Sequence, residues 1–256
     1  MGMRATERIS YIEDALARIG KVTVTEISQA CGVTEETVRR DLDKLEEDGT
    51  VTRVHGGAIK SINFQTGGLD FRRRQTKNAL SKRRIGVLAM EMLQGKSTIM
   101  ADSSSTVVET LRQLADKPDC TVVTNSAGVY LTAERPACAF ISTGGIYNEN
   151  SLSFQGEVAK GNLERFHVDI ALISCKGIHM ESGILDSYTG EVDIKRIMIE
   201  HADEVALLID HTKFSRQAFL KIADLDCLNY IVTDLKPDQD WVDFCKEKGI
   251  ELIYGE

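Results

Sequence analysis

The chain has 256 residues, of which 42 % are hydrophobic and 27 % charged, a composition typical of a soluble globular protein with one large domain or two smaller ones. It contains no run of about 18 apolar residues, which argues against a membrane-spanning helix, and its charged N-terminus argues against a secretory signal. The six cysteines form no CxxC pair and no zinc-like spacing. We therefore expect reduced thiols, no metal site and a cytoplasmic location.

The net charge of −8 conceals an asymmetry along the chain. Residues 1–84 hold 16 Lys and Arg against 12 Asp and Glu, a balance of +4, whereas the remainder holds 15 against 27, a balance of −12. Because DNA attracts the local docking surface rather than the whole molecule, this division is compatible with a DNA-binding head on an acidic body.

The head begins with two predicted helices and a tight turn. Apolar residues at spacings of three and four predict a helix over residues 4–19, and a second, short helix is expected from about Thr25. Residues 31–33 (Cys-Gly-Val) make the predicted turn, because Gly32 can adopt a positive φ. Thr34 is a good N-cap for a third helix. This order of elements is that of a helix-turn-helix.

The third helix has one buried face and one exposed face. At about 100° per residue, Val38, Leu42 and Leu45 fall on the same side and are predicted to face the core. Thr37 and Arg40 lie on the opposite side, where a hydroxyl and a guanidinium suit contacts to phosphates and base edges. A solvated helix face is the alternative, but the short helix before it and the β-rich stretch after it favour DNA binding.

A β-rich wing over residues 50–54 follows the turn at residues 48–49. Gly56 and Gly57 at its end either allow close backbone approach or turn the chain. Arg53 and His55 are candidates for phosphate or minor-groove contact. The candidate DNA-binding residues are thus Thr34, Glu36, Thr37, Arg39, Arg40, Lys44, Arg53 and His55.

The run TEETVRRDLDKLEEDGTVTRVHGGAI resembles the signature of the DeoR family of bacterial transcriptional regulators. The likeness is dense, since it includes VRRDL, the following glycine at position 49 and RVHGGA. It implies a DNA-binding winged helix-turn-helix.

Residues 60–77 are predicted to be a linker, because they begin with a polar, glycine-containing stretch without a clear period. The segment FRRRQTKNALSKRR, residues 71–84, carries seven basic residues and no acidic residue. It is either a phosphate-tracking patch or, as we favour, the solvated face of a helix that packs through Ile85, Leu88 and Leu93.

From residue 97 onward, apolar β-rich runs alternate with helical segments. This alternation predicts an α/β fold with a largely parallel sheet covered on both faces. The predicted strands are residues 97–102, 121–124, 138–142, 168–173, 205–209 and 230–233, and the predicted helices are residues 106–115, 127–134, 156–166 and 192–202.

Polar residues follow five of these strands. In parallel sheets, ligands bind outside the carboxyl ends of the strands, so these loops are candidate binding loops. Hydroxyl groups and free backbone N–H groups at the start of a helix suit a phosphate. Each loop also has a structural explanation, such as a helix cap or a turn, but their convergence at one edge favours a binding site. The loops comprise residues 102–106, 124–126, 143–145, 174–177 and 210–214.

The family resemblance extends over this part of the chain, through DSSSTVVETLRQL, VVTNS, ISTGGIYNENSLSFQG and the segment from SCKG to HTKFSRQAF. It implies a sugar-phosphate sensor domain related in fold to ribose-5-phosphate isomerase, the glucosamine-6-phosphate deaminase group and CoA-transferase-like proteins. One departure is Ser104, where the family usually has glycine, so the seating of a phosphate is expected to differ. The implied effector-site residues are Asp102, Ser104, Ser105, Thr106, Thr124, Asn125, Gly144, Gly145, Lys176, Glu191, Lys195 and Lys213.

Two functions are compatible with these features. The favoured one is a DNA-binding transcriptional regulator, expected to be a repressor of a carbohydrate operon. It would have a head at residues 1–59, a linker at residues 60–77 and a sensor and oligomerisation domain at residues 78–256. The expected partners are operator DNA and a sugar phosphate, with no cofactor, no membrane and a homodimer or larger homo-oligomer. The alternative is a sugar-phosphate isomerase or deaminase with a DNA-binding appendage.

Overall fold

The computed structural model describes residues 3–47, 51–54, 56–60, 71–114, 119–131 and 137–255. The chain divides into two compact units, residues 1–69 and residues 70–256. The turn predicted at residues 48–49, His55 and most of the predicted linker lie outside the described residues.

The first unit contains the predicted helix-turn-helix. Its helices pack through a core that includes Ile12, Leu16, Val38 and Leu42, each at most 2 % exposed. Val38, Leu42 and Leu45 are buried as their spacing predicts. The elements are α1 (Ala5–Ile19), β1 (Lys21–Thr23), α2 (Val24–Cys31), α3 (Glu35–Glu47), β2 (Val51–Val54) and β3 (Gly57–Lys60).

The wing is part of a three-stranded antiparallel sheet of order β1-β3-β2. The sequence left two roles open for Gly56 and Gly57, close backbone approach or a turn of the chain, and each glycine has one of them. Gly56 has φ of +79° and turns the chain. Gly57 allows close approach, because a Cβ atom there would lie 2.1 Å from the carbonyl oxygen of Val22 in β1.

The second unit is built on a parallel sheet. The described residues form seven strands in the order β15-β14-β12-β9-β4-β5-β6, and all neighbouring pairs are parallel. The strands of this sheet are β4 (Thr98–Ala101), β5 (Thr121–Thr124), β6 (Ala139–Ser142), β9 (Val168–Ile173), β12 (Ala202–Leu208), β14 (Tyr230–Thr233) and β15 (Glu251–Tyr254). Six of them were predicted.

Helices cover both faces of this sheet. They are α5 (Ala79–Met92), α6 (Ser105–Leu114), α7 (Glu157–Leu163), α8 (Thr189–Glu200) and α9 (Gln239–Lys248). Successive residues of a strand point to opposite faces, so Ile170 packs in the cluster that contains α5 and α6, whereas Ala171 packs in the cluster that contains α7, α8 and α9. Among the described residues, no helix is long and apolar enough to cross a membrane.

Smaller strands complete the second unit. A hairpin joins β7 (Ile146–Asn148) to β8 (Ser153–Gln155), and a three-stranded sheet has the order β10-β11-β13. The latter strands are β10 (Gly177–His179), β11 (Gly183–Asp186) and β13 (Leu220–Ala223). None of these five was predicted, because a strand of three or four residues is too short to show a periodic pattern.

Three sequence expectations differ from the structure. The helix predicted over residues 127–134 is a single 3₁₀ turn, Gly128–Leu131, in its described part. Helix α9 and strand β15 follow the last predicted strand, and neither was predicted. Residues 71–76 of the predicted linker form a helix, α4 (Phe71–Thr76), whose Phe71 is 2 % exposed and packs with Val108 and Leu152.

The basic segment at residues 71–84 is only partly a solvated face. Ile85 and Leu93 are buried as expected, and Leu88 packs partly against the same core. Lys82, however, is only 6 % exposed, and its ammonium donates hydrogen bonds to the carbonyl groups of Arg74 and Lys77. The expectation of a uniformly solvated basic face is therefore wrong at Lys82.

Candidate functional site

The exposed face of α3 carries the candidate DNA-reading side chains. The hydroxyl of Thr34 accepts a hydrogen bond from the backbone N–H of Thr37 at 3.3 Å, so Thr34 caps the helix as predicted. The hydroxyl oxygens of Thr34 and Thr37 lie 2.9 Å apart and are hydrogen-bonded to each other. Arg40 is the most accessible of the guanidinium groups on this helix, with 75 % of its side chain exposed.

Both arginines of α3 form ion pairs with glutamates of the same helix. Arg39 Nη2 lies 2.7 Å from Glu35 Oε2, and Arg40 Nε lies 3.5 Å from Glu36 Oε1. These pairs connect exposed side chains one turn apart, where such pairs contribute about 0.3–0.5 kcal/mol. Both guanidinium groups therefore exchange these partners readily for phosphates or bases.

The remaining DNA candidates are placed differently. Lys44 is exposed on the last turns of α3. Arg53 is engaged within the unit, since its Nε lies 3.2 Å from Asp43 Oδ1 and its Nη1 donates to the carbonyl of Gly57 at 3.1 Å. The structure thus uses Arg53 to fix the wing against α3 and β3. His55 lies outside the described residues.

A buried ion pair holds α1 on α3. Arg8, 6 % exposed, donates two hydrogen bonds to the carboxylate of Asp41, 3 % exposed, including Nη2 to Oδ1 at 3.1 Å. Arg8 Nη1 also donates to the carbonyl of Met3 at 2.7 Å. Sequence reasoning missed this pair, because both residues sit among exposed charged residues and only the packing of α1 on α3 joins them.

The five predicted polar loops lie at one edge of the large sheet. They follow β4, β5, β6, β9 and β12, which are neighbours in a sheet whose strands are all parallel. The chain leaves β4 towards β5 and β6, then returns to β9 on the other side of β4. The point between β4 and β9 is therefore the topological switch point, where open parallel sheets bind ligands.

Asp102 sits at this switch point. It is fully buried, its Oδ1 accepts the N–H of Ser104 at 2.8 Å, and its Oδ2 accepts the N–H of Ser174 at 2.9 Å. Complete burial raises the pKa of Asp102, because the opposing effects of Lys195 and these donors are smaller. Asp102 thus ties together the loops that follow β4 and β9.

Lys195 links Asp102 to Asp186. Its Nζ lies 2.5 Å from Asp186 Oδ2 and 3.6 Å from Asp102 Oδ2, and its side chain is 4 % exposed. Burial alone lowers the pKa of Lys195, but Asp186 and Asp102 raise it overall. Burial likewise raises the pKa of Asp186, but the charges of Lys195 and Lys176 lower it overall. Lys195 is therefore a charged structural partner of two carboxyl groups.

The loop after β4 leads directly into α6. Ser104 caps this helix, since its hydroxyl accepts the N–H of Val107 at 3.3 Å. Ser105 and Thr106 occupy the first turn and are each 6 % exposed. The serine at position 104 thus serves as a cap where the family pattern has glycine.

Glu191 gathers three donors around its carboxylate. Ser103 Oγ donates to Oε2 at 2.8 Å, while Ser153 Oγ and Gln155 Nε2 donate to Oε1 at 2.8 and 2.9 Å. Tyr188 donates its hydroxyl to Gln155 Oε1 at 3.0 Å. The network joins the loop after β4 to the β7–β8 hairpin and to α8, so Glu191 positions these segments.

The loop after β5 contains buried polar atoms without partners. Thr124 donates its hydroxyl to the carbonyl of Ala101 at 2.7 Å and accepts the N–H of Ser126 at 3.0 Å, which fixes β5 to β4. Asn125 Nδ2 donates to the carbonyl of Phe154 at 3.2 Å. Asn125 Oδ1 and Ser126 Oγ are buried and find no hydrogen-bond partner among the described residues. A polar ligand would satisfy them.

The last candidates come from three other loops. Gly144 and Gly145 connect β6 to β7 with φ of +60° and +111°. Lys176, half-buried after β9, lies near enough to Asp186 to lower the pKa of that carboxyl group. Lys213 ends a 3₁₀ turn, His211–Lys213, and burial lowers its pKa, with Asp210 acting in the opposite direction.

The structure therefore brings Asp102, Glu191 and Lys195 together, since Lys195 Nζ lies 3.6 Å from Asp102 Oδ2 and the charge of Glu191 contributes to the raised pKa of Lys195. The sequence analysis missed Asp186, Ser153 and Gln155, although all three lie within segments that carry the family resemblance. No group of three potential metal-ligating side chains occurs in the described ranges.

The comparisons with known proteins identify both units. A model of the DeoR C-terminal sensor domain matches residues 77–235, and a model of the DeoR-like helix-turn-helix domain matches residues 8–63. The chain belongs to the DeoR family of transcriptional regulators. This confirms the predicted family and the two-part fold class, and it makes the chain a regulator rather than the alternative enzyme.

Curated DeoR-family relatives align with nearly the whole chain. The L-fucose operon activator of Haemophilus influenzae is 34 % identical over 235 residues, which cover 91 % of this chain and 94 % of that protein. The transcriptional repressor GlcR of Bacillus subtilis is 31 % identical over 255 residues, which cover 99 % and 98 %. A solved D-ribose-5-phosphate isomerase aligns at 15 % identity with a TM-score of 0.38, covering 52 % of this chain and 54 % of that one. That likeness is too distant to bear on activity.

Proposed function

We propose that this DeoR-family regulator represses a carbohydrate catabolic operon and is controlled by a phosphorylated sugar bound at the carboxyl edge of its large sheet. The observation that carries the proposal is the switch point between β4 and β9. There Asp102, Ser174 and the start of α6 meet, and a helix-turn-helix unit precedes them in the same chain. The operon named in the fucose relative supports a carbohydrate pathway.

In this proposal, α3 reads the major groove. Arg40 makes the main base or phosphate contact, Thr37 a second contact, and Lys44 a phosphate contact. Residues 1–59 act as the DNA-binding domain, residues 60–77 connect it, and residues 78–256 act as the sensor. The exposure of Arg40 and the weakness of its pair with Glu36 support this role.

Regulation requires that the effector bind two states of the protein with different affinities. We place these two states in a homodimer or larger homo-oligomer, in which paired heads read two half-sites of an operator. The modest balance of +4 in residues 1–84 supports pairing, because one head alone has little electrostatic attraction for DNA. The protein acts in the cytoplasm and needs no cofactor beyond the effector.

The proposal is tested with operator DNA selected from a random-sequence library and a panel of sugar phosphates with their unphosphorylated counterparts. At least one phosphorylated sugar should release the operator and remain chemically unchanged. Release by the unphosphorylated sugar at the same concentration would contradict a phosphate requirement, and tighter DNA binding on effector addition would contradict repression by release.

The DNA-reading role of α3 is tested by Arg40→Ala. Loss of a bidentate base contact should weaken specific operator binding by about 10- to 100-fold, because such a contact is worth about 1–3 kcal/mol. The matched control is Arg165→Ala, which removes an exposed arginine from the second unit. Equal operator affinities of Arg40→Ala and Arg165→Ala would refute the assignment of α3.

A further inference from the structure

Phe71 is the first residue of α4 and the first described residue of the second unit, so it marks the point where the chain from the DNA-binding unit enters. Its side chain is 2 % exposed, and its backbone N–H donates to the carbonyl of Asn150 at 2.7 Å. Its ring lies against Gly128, where a Cβ atom would be 2.9 Å from the ring, and the guanidinium of Arg74 stacks over it at 5.7 Å from the centroid. These contacts anchor the start of α4 on the β7–β8 hairpin and on the 3₁₀ turn after β5.

The cluster that receives Phe71 is small and separate from the main core. Phe71, Val108 and Leu152 form a cluster of their own, apart from the two large clusters on the faces of the sheet. Leu152 has φ of +48°, a left-handed conformation that costs a leucine free energy. Parts of a fold with few buried apolar contacts open without global unfolding. The start of α4 can therefore detach while the rest of the second unit stays folded.

The loop after β5 holds Leu152 in place against Phe71. The backbone N–H of Phe154 donates to the carbonyl of Asn125 at 2.7 Å, and the N–H of Ala127 donates to the carbonyl of Leu152 at 2.7 Å. In the same short loop, Asn125 Oδ1 and Ser126 Oγ are buried and have no hydrogen-bond partner among the described residues. The two atoms that a polar ligand would satisfy therefore lie in the segment that positions the hairpin under Phe71.

We propose that Phe71 couples occupancy of the effector site to operator binding. Docked Phe71 fixes the point where the chain from the DNA-binding unit enters, and this keeps paired units at the spacing that an operator requires. An effector that bonds Asn125 and Ser126 shifts the loop after β5, moves Leu152 and releases Phe71. Phe71 is thus a positioning residue for DNA binding. The inference rests on the proposed function for the paired units and for an effector at this sheet edge.

The alternative is that Phe71 only fills a gap between α6 and the β7–β8 hairpin. That role predicts that Phe71→Ala lowers the stability of the second unit but leaves operator affinity unchanged in the folded protein. The coupling role predicts weaker operator binding even when no effector is added, because the docked state is the one that binds the operator. Operator affinity therefore separates the two roles.

The test measures operator binding by the full chain without any effector, using the operator selected with the wild type. Measurements are made at a temperature where circular dichroism and the fluorescence of Trp241, the single tryptophan, show each variant to be folded. Phe71→Ala should weaken operator binding by about 5- to 150-fold, the usual range of coupling between sites. Phe71→Leu should recover most of this loss, because leucine keeps an apolar side chain in the cluster.

Two more variants make the result specific. Gly128→Ala places a methyl group against the ring of Phe71 without altering Phe71 itself, and Gly128 has no positive φ that alanine would strain. It should weaken operator binding as Phe71→Ala does. The matched control is Ile231→Ala, which removes a fully buried side chain of β14 from the main core and should bind the operator as the wild type does.

Wild-type operator affinity in folded Phe71→Ala would overturn the proposal, and so would an equal loss of affinity in Ile231→Ala. If Phe71→Ala does not fold, Gly128→Ala decides by the same criterion. Failure of this proposal is distinguishable from failure of the proposed function. Wild-type operator affinity in Phe71→Ala, together with operator release by a sugar phosphate, would remove the coupling role but keep the regulator. Weakened binding in Phe71→Ala, without release of the wild type by any sugar phosphate, would keep the role of Phe71 in operator binding and remove the proposed effector.

Discussion

Replacing Asp41 by alanine should strongly destabilise the DNA-binding unit while leaving the second unit intact. The substitution removes the carboxylate that receives two hydrogen bonds from Arg8. It leaves a guanidinium that is 6 % exposed and whose one remaining partner among the described residues is the carbonyl of Met3. The loss of one member of a buried ion pair costs about 3–5 kcal/mol, because the other charge remains buried without compensation.

This cost is large relative to the stability of the unit. At about 0.05–0.15 kcal/mol per residue, a unit spanning residues 1–69 is expected to have a free energy of unfolding of about 3–10 kcal/mol. Asp41→Ala therefore removes about a third of that stability at the least and all of it at the most. Specific operator binding should weaken in parallel, because α3 carries both Asp41 and the exposed reading face.

Urea denaturation followed by two signals separates the units. Trp241 is the single tryptophan and is 1 % exposed in the second unit, so its fluorescence reports that unit, whereas far-ultraviolet circular dichroism reports both. In Asp41→Ala, the dichroism should show an early transition, or a reduced starting signal, while the fluorescence midpoint stays at the wild-type value.

Two further variants sharpen the result. Asp43→Ala removes a carboxylate of the same helix, α3, that is 57 % exposed and pairs with Arg53 of β2, so it should cost less than about 1 kcal/mol. The double variant Arg8→Met/Asp41→Leu should recover most of the loss, since apolar replacements of a buried pair are often neutral. If Asp41→Ala unfolds at the same urea concentration as Asp43→Ala, the reasoning about the buried pair is wrong.

Three other outcomes are expected. Glu191→Ala should destabilise the second unit by about 2–3 kcal/mol in Trp241-monitored denaturation, because three donors lose their acceptor. Glu191→Gln should cost clearly less, and equal losses in the two variants would contradict the hydrogen-bond network around Glu191. Gly57→Ala should cost about 1–3 kcal/mol in the first unit through the clash with the Val22 carbonyl, and an unchanged dichroism midpoint would show that the strands separate freely. The folded-state pKa of Lys82, about 8, lies below its unfolded value near 10.4, so the unfolded state binds more protons between these values and stability should rise with pH across that window. The difference in stability between the wild type and Lys82→Met, measured from pH 7 to 10.5, should show this slope. A flat difference would place Lys82 in contact with solvent.

Local patterns predicted much of the molecule. The spacing of Val38, Leu42 and Leu45 gave the buried face of α3, and the hydroxyl of Thr34 gave its start. The apolar runs located six of the seven strands in the large sheet, because strands buried on both faces need continuous apolar residues. Polar residues after five of them indicated a common edge, and the strand order then placed all five loops there.

Predictions from local patterns failed at residues whose surroundings come from distant parts of the chain. Residues 127–134 look helical by composition, yet the described part forms one 3₁₀ turn. Gly128 in this turn packs against the ring of Phe71, where a Cβ would lie 2.9 Å from the ring. Lys82 sits in a run of basic residues that looks solvated, yet α4 and the loop after β12 enclose it.

The sequence by itself determined the helix-turn-helix, the alternating α/β body and the family, because these depend on spacings within a few residues and on motifs of contiguous residues. Only the tertiary structure decided which charges are paired. Arg8 and Asp41 are 33 residues apart, and Ser103 and Glu191 are 88 residues apart. A partner at such a distance leaves no mark in the local pattern, since the free energy of a buried charge depends on what the whole fold brings next to it.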